Sequence, residues 1–275
     1  MSQNKELEDS IEKIKQFNEQ LASHYGLSTQ LDFNKLIEQA NQTQNLNLYT
    51  VNQNYQVRGE IIPGSSYGGD FFDMFAVGPN KIGLIIGDVS EKSLPAVLFM
   101  NIARTMARSL AKTVVSPKEL MEKANLLLSH YNNSCMFLTA FYAVFDSKTG
   151  QLTYCNAGHY PPYLLSANGH LEKIIDGAGM ALGLREFQKD SAPDYGECTI
   201  QLKSKDCVVM YTDGVITAAD KNGEDYSASR LEKALVRSAQ KPFCELIESV
   251  AEDIYGFTGT PEQRDDITIF SLRYL

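Results

Sequence analysis

The sequence predicts an α+β fold: a β-sandwich of two mostly antiparallel sheets flanked by helices. Two observations predict stacked sheets under helices. Short runs rich in Val, Ile, Tyr and Phe recur from Tyr49 onward, each bounded by Gly, Asp or Pro. Helical patterns enter between them in blocks rather than after every strand, which argues against a parallel βαβ sheet.

In chain order, residues 1–47 form an N-terminal helical segment ending in a linker. Leu7, Ile11, Ile14, Phe17 and Leu21 recur every three or four residues, and Gly26 interrupts the pattern. A second amphipathic set follows at 31–40, then a polar stretch at 41–47. This segment reads either as a helical hairpin packed on the main domain or as a regulatory or dimerisation helix pair. Residues 48–275 form the main domain. Strands are expected at 57–62, 82–87, 137–145, 152–155, 163–165, 199–202, 208–211 and 267–272, with a hairpin turn at 146–150. A helix is expected at 96–112. A second opens at Ser116, with Pro117 at its first position and Glu119 at its third, and buries Leu120, Ala124, Leu127 and Tyr131. A last helix carries Phe243, Leu246, Ile247, Val250 and Ile254 on one face and is expected to stop at Gly256.

Composition narrows the function classes. The 275 residues are 43% hydrophobic and carry a net charge of −9, enough for a large core and wrong for a polyanion partner. No basic stripe is present, so no nucleic-acid partner is expected. Five widely spaced cysteines include no Cys-x-x-Cys pair and read as reduced thiols. The charged N-terminus does not suit a secretory signal, and no apolar run approaches the ~20 residues of a membrane span. A cytoplasmic protein without a membrane association is expected.

The informative residues are aspartates beside strands. Asp70 follows Gly68-Gly69, Asp88 follows the apolar run 82–87, and Asp213 stands between the run 208–212 and Gly214. Asp265 and Asp266 precede the last strand. Each alone reads as an ordinary turn residue. Together, several carboxylates at strand ends would repel one another by about 4 kcal/mol per close pair unless cations neutralise them. Hard oxygen donors select Mg²⁺ or Mn²⁺. Other phosphatase and hydrolase chemistries fail on inspection. Tyr211 stands where Asp-x-Asp-Gly needs its first Asp, no cysteine begins Cys-x₅-Arg, and Gly-x-Ser-x-Gly and P-loop patterns are absent.

The order of motifs resembles the SpoIIE/RsbU-type branch of the PPM (protein phosphatase 2C-like) serine/threonine phosphatases. The matching segments are Gly68-Gly-Asp-Phe-Phe-Asp73, Gly87-Asp-Val-Ser-Glu-Lys92 with Pro95-Ala96, Thr139-Ala-Phe-Tyr142, Asn156-Ala-Gly-His-Tyr-Pro-Pro162, Tyr211-Thr-Asp-Gly-Val215 and Asp265-Asp-Ile-Thr268. The resemblance implies two Mn²⁺ or Mg²⁺ ions in a cleft at one end of the sandwich. By the same resemblance, Asp88 bridges both ions, the Val89 carbonyl binds one, Asp213 and Asp265 hold the other, and Asp70 completes the first site. Asp70, Asp88 and Asp213 are thus the catalytic set, with Asp266, Ser90 and His159 in support. Asp73 is a weaker candidate that caps the following turn.

Two departures stand out. Glu91-Lys92-Ser93 replaces the branch's usual Gly-Lys-Gly, removing glycines that permit φ > 0. Ser90 stands where eukaryotic members carry a His taken as general acid.

Phosphate monoesters need accelerations of up to about 10²¹-fold, and a general base supplies only about 10²–10⁴. The expected mechanism is therefore in-line attack by metal-bound hydroxide without a phosphoenzyme. The resemblance implies a phosphorylated regulatory protein as substrate, a STAS-type anti-sigma-factor antagonist; the helical pattern of residues 1–47 offers a place for an upstream activator or homodimer contact. The alternatives are a catalytically silent PPM-fold binding module, whose mark would be a missing metal aspartate, and an unselective small-phosphoester hydrolase. His159 reads first as a structural histidine of its turn and second as a site-edge group.

Overall fold

The computed structural model describes residues 47–64, 68–131, 136–184, 194–259 and 263–275. The expected helices of residues 1–46 lie outside the described residues, as do Tyr67 and Cys135.

One sheet has the order β1 (Asn47–Val51), β2 (Tyr55–Ile62), β12 (Ile267–Tyr274), β11 (Cys207–Tyr211), β7 (Tyr163–Leu165), β8 (Leu171–Lys173). The other has the order β10 (Cys198–Gln201), β6 (Gln151–Ala157), β5 (Leu138–Asp146), β4 (Lys81–Val89), β3 (Asp70–Gly78). All of these pairings are antiparallel, and the two-residue β9 (Ala178–Gly179) adds a short parallel contact to β6. Helices α1 (Leu94–Leu110) and α2 (Pro117–Tyr131) cover the β3–β6 side. The β11–β12 side is covered by α3 (Asp213–Thr217), α4 (Ala228–Ser238) and α5 (Leu246–Thr258).

Strand alternation builds the layers. Along β12, Ile267 and Ile269 face the helices while Phe270 and Leu272 face the opposite sheet. Along β4, Ile82, Leu84 and Ile86 point into the sandwich and Ile85 and Val89 toward α1 and α2. The central strands are buried on both faces, so they read as unbroken apolar runs rather than alternating ones. Phe72 of β3 stacks on Phe270 of β12 across the sandwich, ring centroids 4.8 Å apart.

Several expectations are corrected. Gly68, Gly69 and Asp70 read as a loop after β2, but Asp70 opens β3, a nine-residue strand. Two aspartates in nine residues hid it. The helix expected at 96–112 begins at Leu94, with Ser93 Oγ accepting from the Ala96 amide as N-cap. Ser93 has φ −149°, so this loop needs no left-handed residue there, and the lost glycine has become a cap. Gly256 does not stop the last helix; the chain continues to Thr258 and turns at Gly259, whose φ is +70°. The Ser116 cap is present, Oγ accepting from the Glu119 amide at 3.2 Å. Helix α4 was not foreseen.

Candidate metal centre

The two sheets end together at one edge, and the aspartates collect there. Asp70 at the start of β3 lies directly opposite Asp88 near the end of β4. From the other sheet, β11 ends at Tyr211 and α3 opens with Asp213, while Asp265 and Asp266 lead into β12. Two of the five aspartates thus come from one sheet and three from the strand ends of the other.

Asp70 is the most enclosed. Its Oδ2 accepts from Thr212 Oγ1 at 2.6 Å and Thr268 Oγ1 at 2.5 Å, both hydroxyls coming from the opposite sheet. Thr212 Oγ1 in turn accepts from the Thr268 amide. Burial pushes the Asp70 carboxyl well above the usual range, and the charges of Asp88 and Asp266 push it further, against the two hydroxyls. Asp88 is raised to about 7, by burial first and then by Asp213, with a smaller contribution from Asp265; a hydrogen bond from Asp70 and the charge of Lys92 oppose the rise. Asp213 is raised by burial and by Asp265, and Asp266 is raised chiefly by burial.

The pattern of couplings is informative. Asp70 feels Asp88 and Asp266, and Asp88 feels Asp213 and Asp265; Asp265 also acts on Asp266, so the two groups join at Asp88 and again there. Among the described residues no three carboxylate, thiolate or imidazole groups are drawn into closed ligand geometry.

The surroundings fit hard cations. Asp266 Oδ1 accepts from the Gly64 amide, while its buried Oδ2 has no donor in hydrogen-bond geometry. Any Cβ on Gly68 would stand 2.3 Å from that same Oδ2, and one on Gly214 only 2.0 Å from the Asp266 carbonyl, so both positions exclude side chains. The Val89 carbonyl faces Gly69, 2.9 Å from where a Cβ would lie. All-oxygen donors suit Mg²⁺ or Mn²⁺ rather than Zn²⁺.

The remaining candidates lie around this edge. Ser90 Oγ accepts from the Phe137 amide, its own amide donating to the Phe137 carbonyl. His159 is buried, and burial pushes it down to about 4, so it is neutral. Its Nδ1 lies 3.0 Å from Thr139 Oγ1, and Thr139 pairs opposite Asp88 in the β4–β5 register. Asp73 does not cap a turn: it sits within β3 and binds Arg104 and Arg108 on the α1 side.

Three contributors went unseen in the sequence. Thr212 and Thr268 stand inside quoted motifs, next to or near an aspartate, and that adjacency was the available signal. Lys92, whose ammonium pairs with Asp265 and with the Arg264 carbonyl, left none beyond its loop position.

The family model for Stage II sporulation protein E (SpoIIE) matches residues 78–275, from β4 onward. Phosphoserine phosphatase RsbU of Bacillus subtilis (strain 168) is 26% identical over 215 residues, 77% of this chain and 61% of RsbU. The structure of the RsbU and RsbW domains of Rv1364c from Mycobacterium tuberculosis superposes with a TM-score of 0.68 at 22% identity, covering 80% of this chain and 61% of that one. RsbX in complex with magnesium gives 0.61 at 17% identity, covering 84% of this chain and all of RsbX. The chain thus spans less than two thirds of the first two proteins. Profile, sandwich and motif order agree, and the chain belongs to the SpoIIE family, in the SpoIIE/RsbU-type branch of the PPM phosphatases.

Proposed function

We propose that this chain is a metal-dependent protein serine/threonine phosphatase acting on a phosphoserine or phosphothreonine of a small regulatory protein. The name of the relative RsbU supports a phosphoserine substrate, and the motif resemblance to the SpoIIE/RsbU-type branch extends this to a STAS-type anti-sigma-factor antagonist. The observation that carries the reading is the position of Asp88, electrostatically coupled to Asp70 on one side and to Asp213 and Asp265 on the other. Such a carboxylate suits a bridge between two cations.

Asp70, Asp88 and the Val89 carbonyl would hold one divalent ion, and Asp88, Asp213 and Asp265 the other, either Mn²⁺ or Mg²⁺. When bound, the pair supplies Lewis acidity that activates water and neutralises charge on a phosphoryl group. The protein's own part is placement. Thr212 and Thr268 fix the Asp70 carboxylate, strand pairing fixes Asp88 against it, and Gly68 and Gly214 keep side chains out of the space. Asp266 supports the arrangement from beneath, through the Gly64 amide. His159, neutral and bonded to Thr139, positions the β5 end beside Asp88 and is a poor source for the leaving-group proton. Ser90 is occupied with the Phe137 backbone.

The test uses the purified chain with p-nitrophenyl phosphate and a phosphoserine protein. Turnover is expected with Mn²⁺ or Mg²⁺ and lost with chelator. Absence of turnover under every divalent ion, with the fold intact, would leave only the binding-module reading. We further propose that residues 1–47 regulate or dimerise the 48–275 domain and that the protein works in the cytoplasm; deleting 1–47 and measuring turnover and mass tests the first. Among the described residues, no helix is long and apolar enough to cross a membrane.

A further inference from the structure

Tyr160 is a large aromatic left 41% exposed at the edge where the carboxylates gather. Its backbone is tightly held. The preceding residue, His159, is clamped at both ends by Asn156, whose Oδ1 accepts from the His159 amide at 2.7 Å and whose Nδ2 donates to the His159 carbonyl at 3.0 Å. Pro161 and Pro162 follow and fix the chain on the other side.

The ring is held too. It packs on Tyr211, centroids 5.9 Å apart, and Tyr211 packs on Tyr163 at 5.6 Å, whose hydroxyl donates to Glu232. The inner two rings of this stack are buried; only the outermost reaches solvent. Its position is fixed from two directions. Tyr211 lies two residues before Asp213, and His159 is bonded to Thr139, the strand partner of Asp88. The ring therefore stands at the edge of the sandwich that carries Asp88 and Asp213. Among the described residues its Oη forms no hydrogen bond. A phenol is protonated at neutral pH and so is a donor.

We propose that Tyr160 is a substrate-contact residue, its ring forming a wall of the cleft and its O–H donating to a phosphoryl oxygen of the bound phosphoserine or phosphothreonine. Among the described residues, the hydroxyl donors beside the carboxylates, Thr212 and Thr268, are already spent on Asp70. The groups that converge there are carboxylates, and Lys92 is engaged with Asp265 and the Arg264 carbonyl. An uncharged phenol adds a hydrogen bond to an anion without competing for the carboxylates as a second ammonium would. The inference rests on the phosphatase reading above.

The experiment compares the full wild-type chain with Tyr160→Phe and Tyr160→Leu, all loaded with Mn²⁺. Wild-type turnover of a phosphoserine peptide is measured first, so that a failure of the phosphatase reading shows there and nowhere else. Tyr160→Phe keeps the ring and the stack. Its KM for the peptide and its Kd for inorganic phosphate, read by calorimetry, are expected to rise about tenfold with melting temperature and Mn²⁺ affinity unchanged, as loss of one hydrogen bond to a charged group implies. Tyr160→Leu also removes the wall and is expected to weaken the peptide more than it weakens free phosphate. If Tyr160→Phe keeps the wild-type KM and phosphate Kd, the proposal is wrong. If Mn²⁺ affinity falls instead, Tyr160 acts on the cation site and the proposal is equally wrong.

Discussion

Asp70 and Asp73 lie three residues apart on β3 and live in opposite electrostatic worlds. Strand parity turns Asp73 toward α1, where Arg104 and Arg108 meet it and one Arg108 nitrogen donates at 2.6 Å. Asp70 turns inward, where it finds two hydroxyls and further carboxylates, and no cationic side chain bonds to it among the described residues. The difference separates two uses of one side chain. A carboxylate that serves the fold arrives with its own counter-charge, built into the neighbouring helix. A carboxylate that serves the proposed site arrives without one, and a cation from solution would supply it.

Four experiments break or sharpen that contrast. The largest effect is expected at Asp88, which both groups share. Asp88→Asn should lower turnover by at least about 10²-fold and abolish tight Mn²⁺ binding while the circular dichroism spectrum stays native. Turnover within twofold of wild type would mean the carboxylates at this edge are not the site. Next comes the fold-serving partner. Asp73→Ala strands two guanidinium groups and should cost about 1–2 kcal/mol in urea unfolding, less than a fully buried pair because Arg108 is half-exposed. Its KM should not move; a shifted KM with an unchanged unfolding midpoint would erase the distinction between the two aspartates.

The third is a pH dependence. Asp88 is raised in the fold from an ordinary carboxylate value to about 7, so the folded state binds the extra proton and gains stability from it at low pH. Without divalent ions that stability should fall as pH rises from about 4 through 7, and added Mg²⁺ should restore it at the upper end. His159 runs oppositely: lowered to about 4, it contributes stability above 6.5 that is lost as pH falls toward 4. The difference between wild type and Asp88→Asn across this window isolates the carboxylate. A pH-independent difference would show that Asp88 is not strained.

The smallest effect is at Lys92, the one ammonium bonded to the set among the described residues. Lys92→Gln should tighten Mn²⁺ binding a fewfold, in line with about 0.2–1 kcal/mol for a partly exposed pair. Weaker binding would show that Lys92 supports the cations instead of standing in for one.

Much of this arrangement was readable before any coordinates. The long central strands announced themselves because burial on both faces leaves few polar residues, as in 82–87 and 208–211. The boundary strand β3 did not, because Asp70 and Asp73 break its apolar run for reasons that reside in α1 and β12, far away in sequence. Helix α4 was missed because Leu231, Ala234 and Leu235 form a narrow apolar stripe among charges. Asp88, Asp213, Asp265 and Asp266 could be named from their places beside strands. That they meet could not, since convergence depends on how β3, β4, β11 and β12 are ordered in two different sheets. The hydroxyls of Thr212 and Thr268 escaped for a related reason: nothing local tells a threonine that its partner lies 142 or 198 positions away.

Those two hydroxyls cross from one sheet to the other, and so does the carboxylate set as a whole. Under the proposed function, a cation held by that set would tie β3 and β4 of one sheet to the β11 and β12 ends of the other, and so would brace the two layers against each other. Amide exchange along β3 and β12 should slow in concert when Mn²⁺ is added; independent behaviour of the two strands would uncouple the layers.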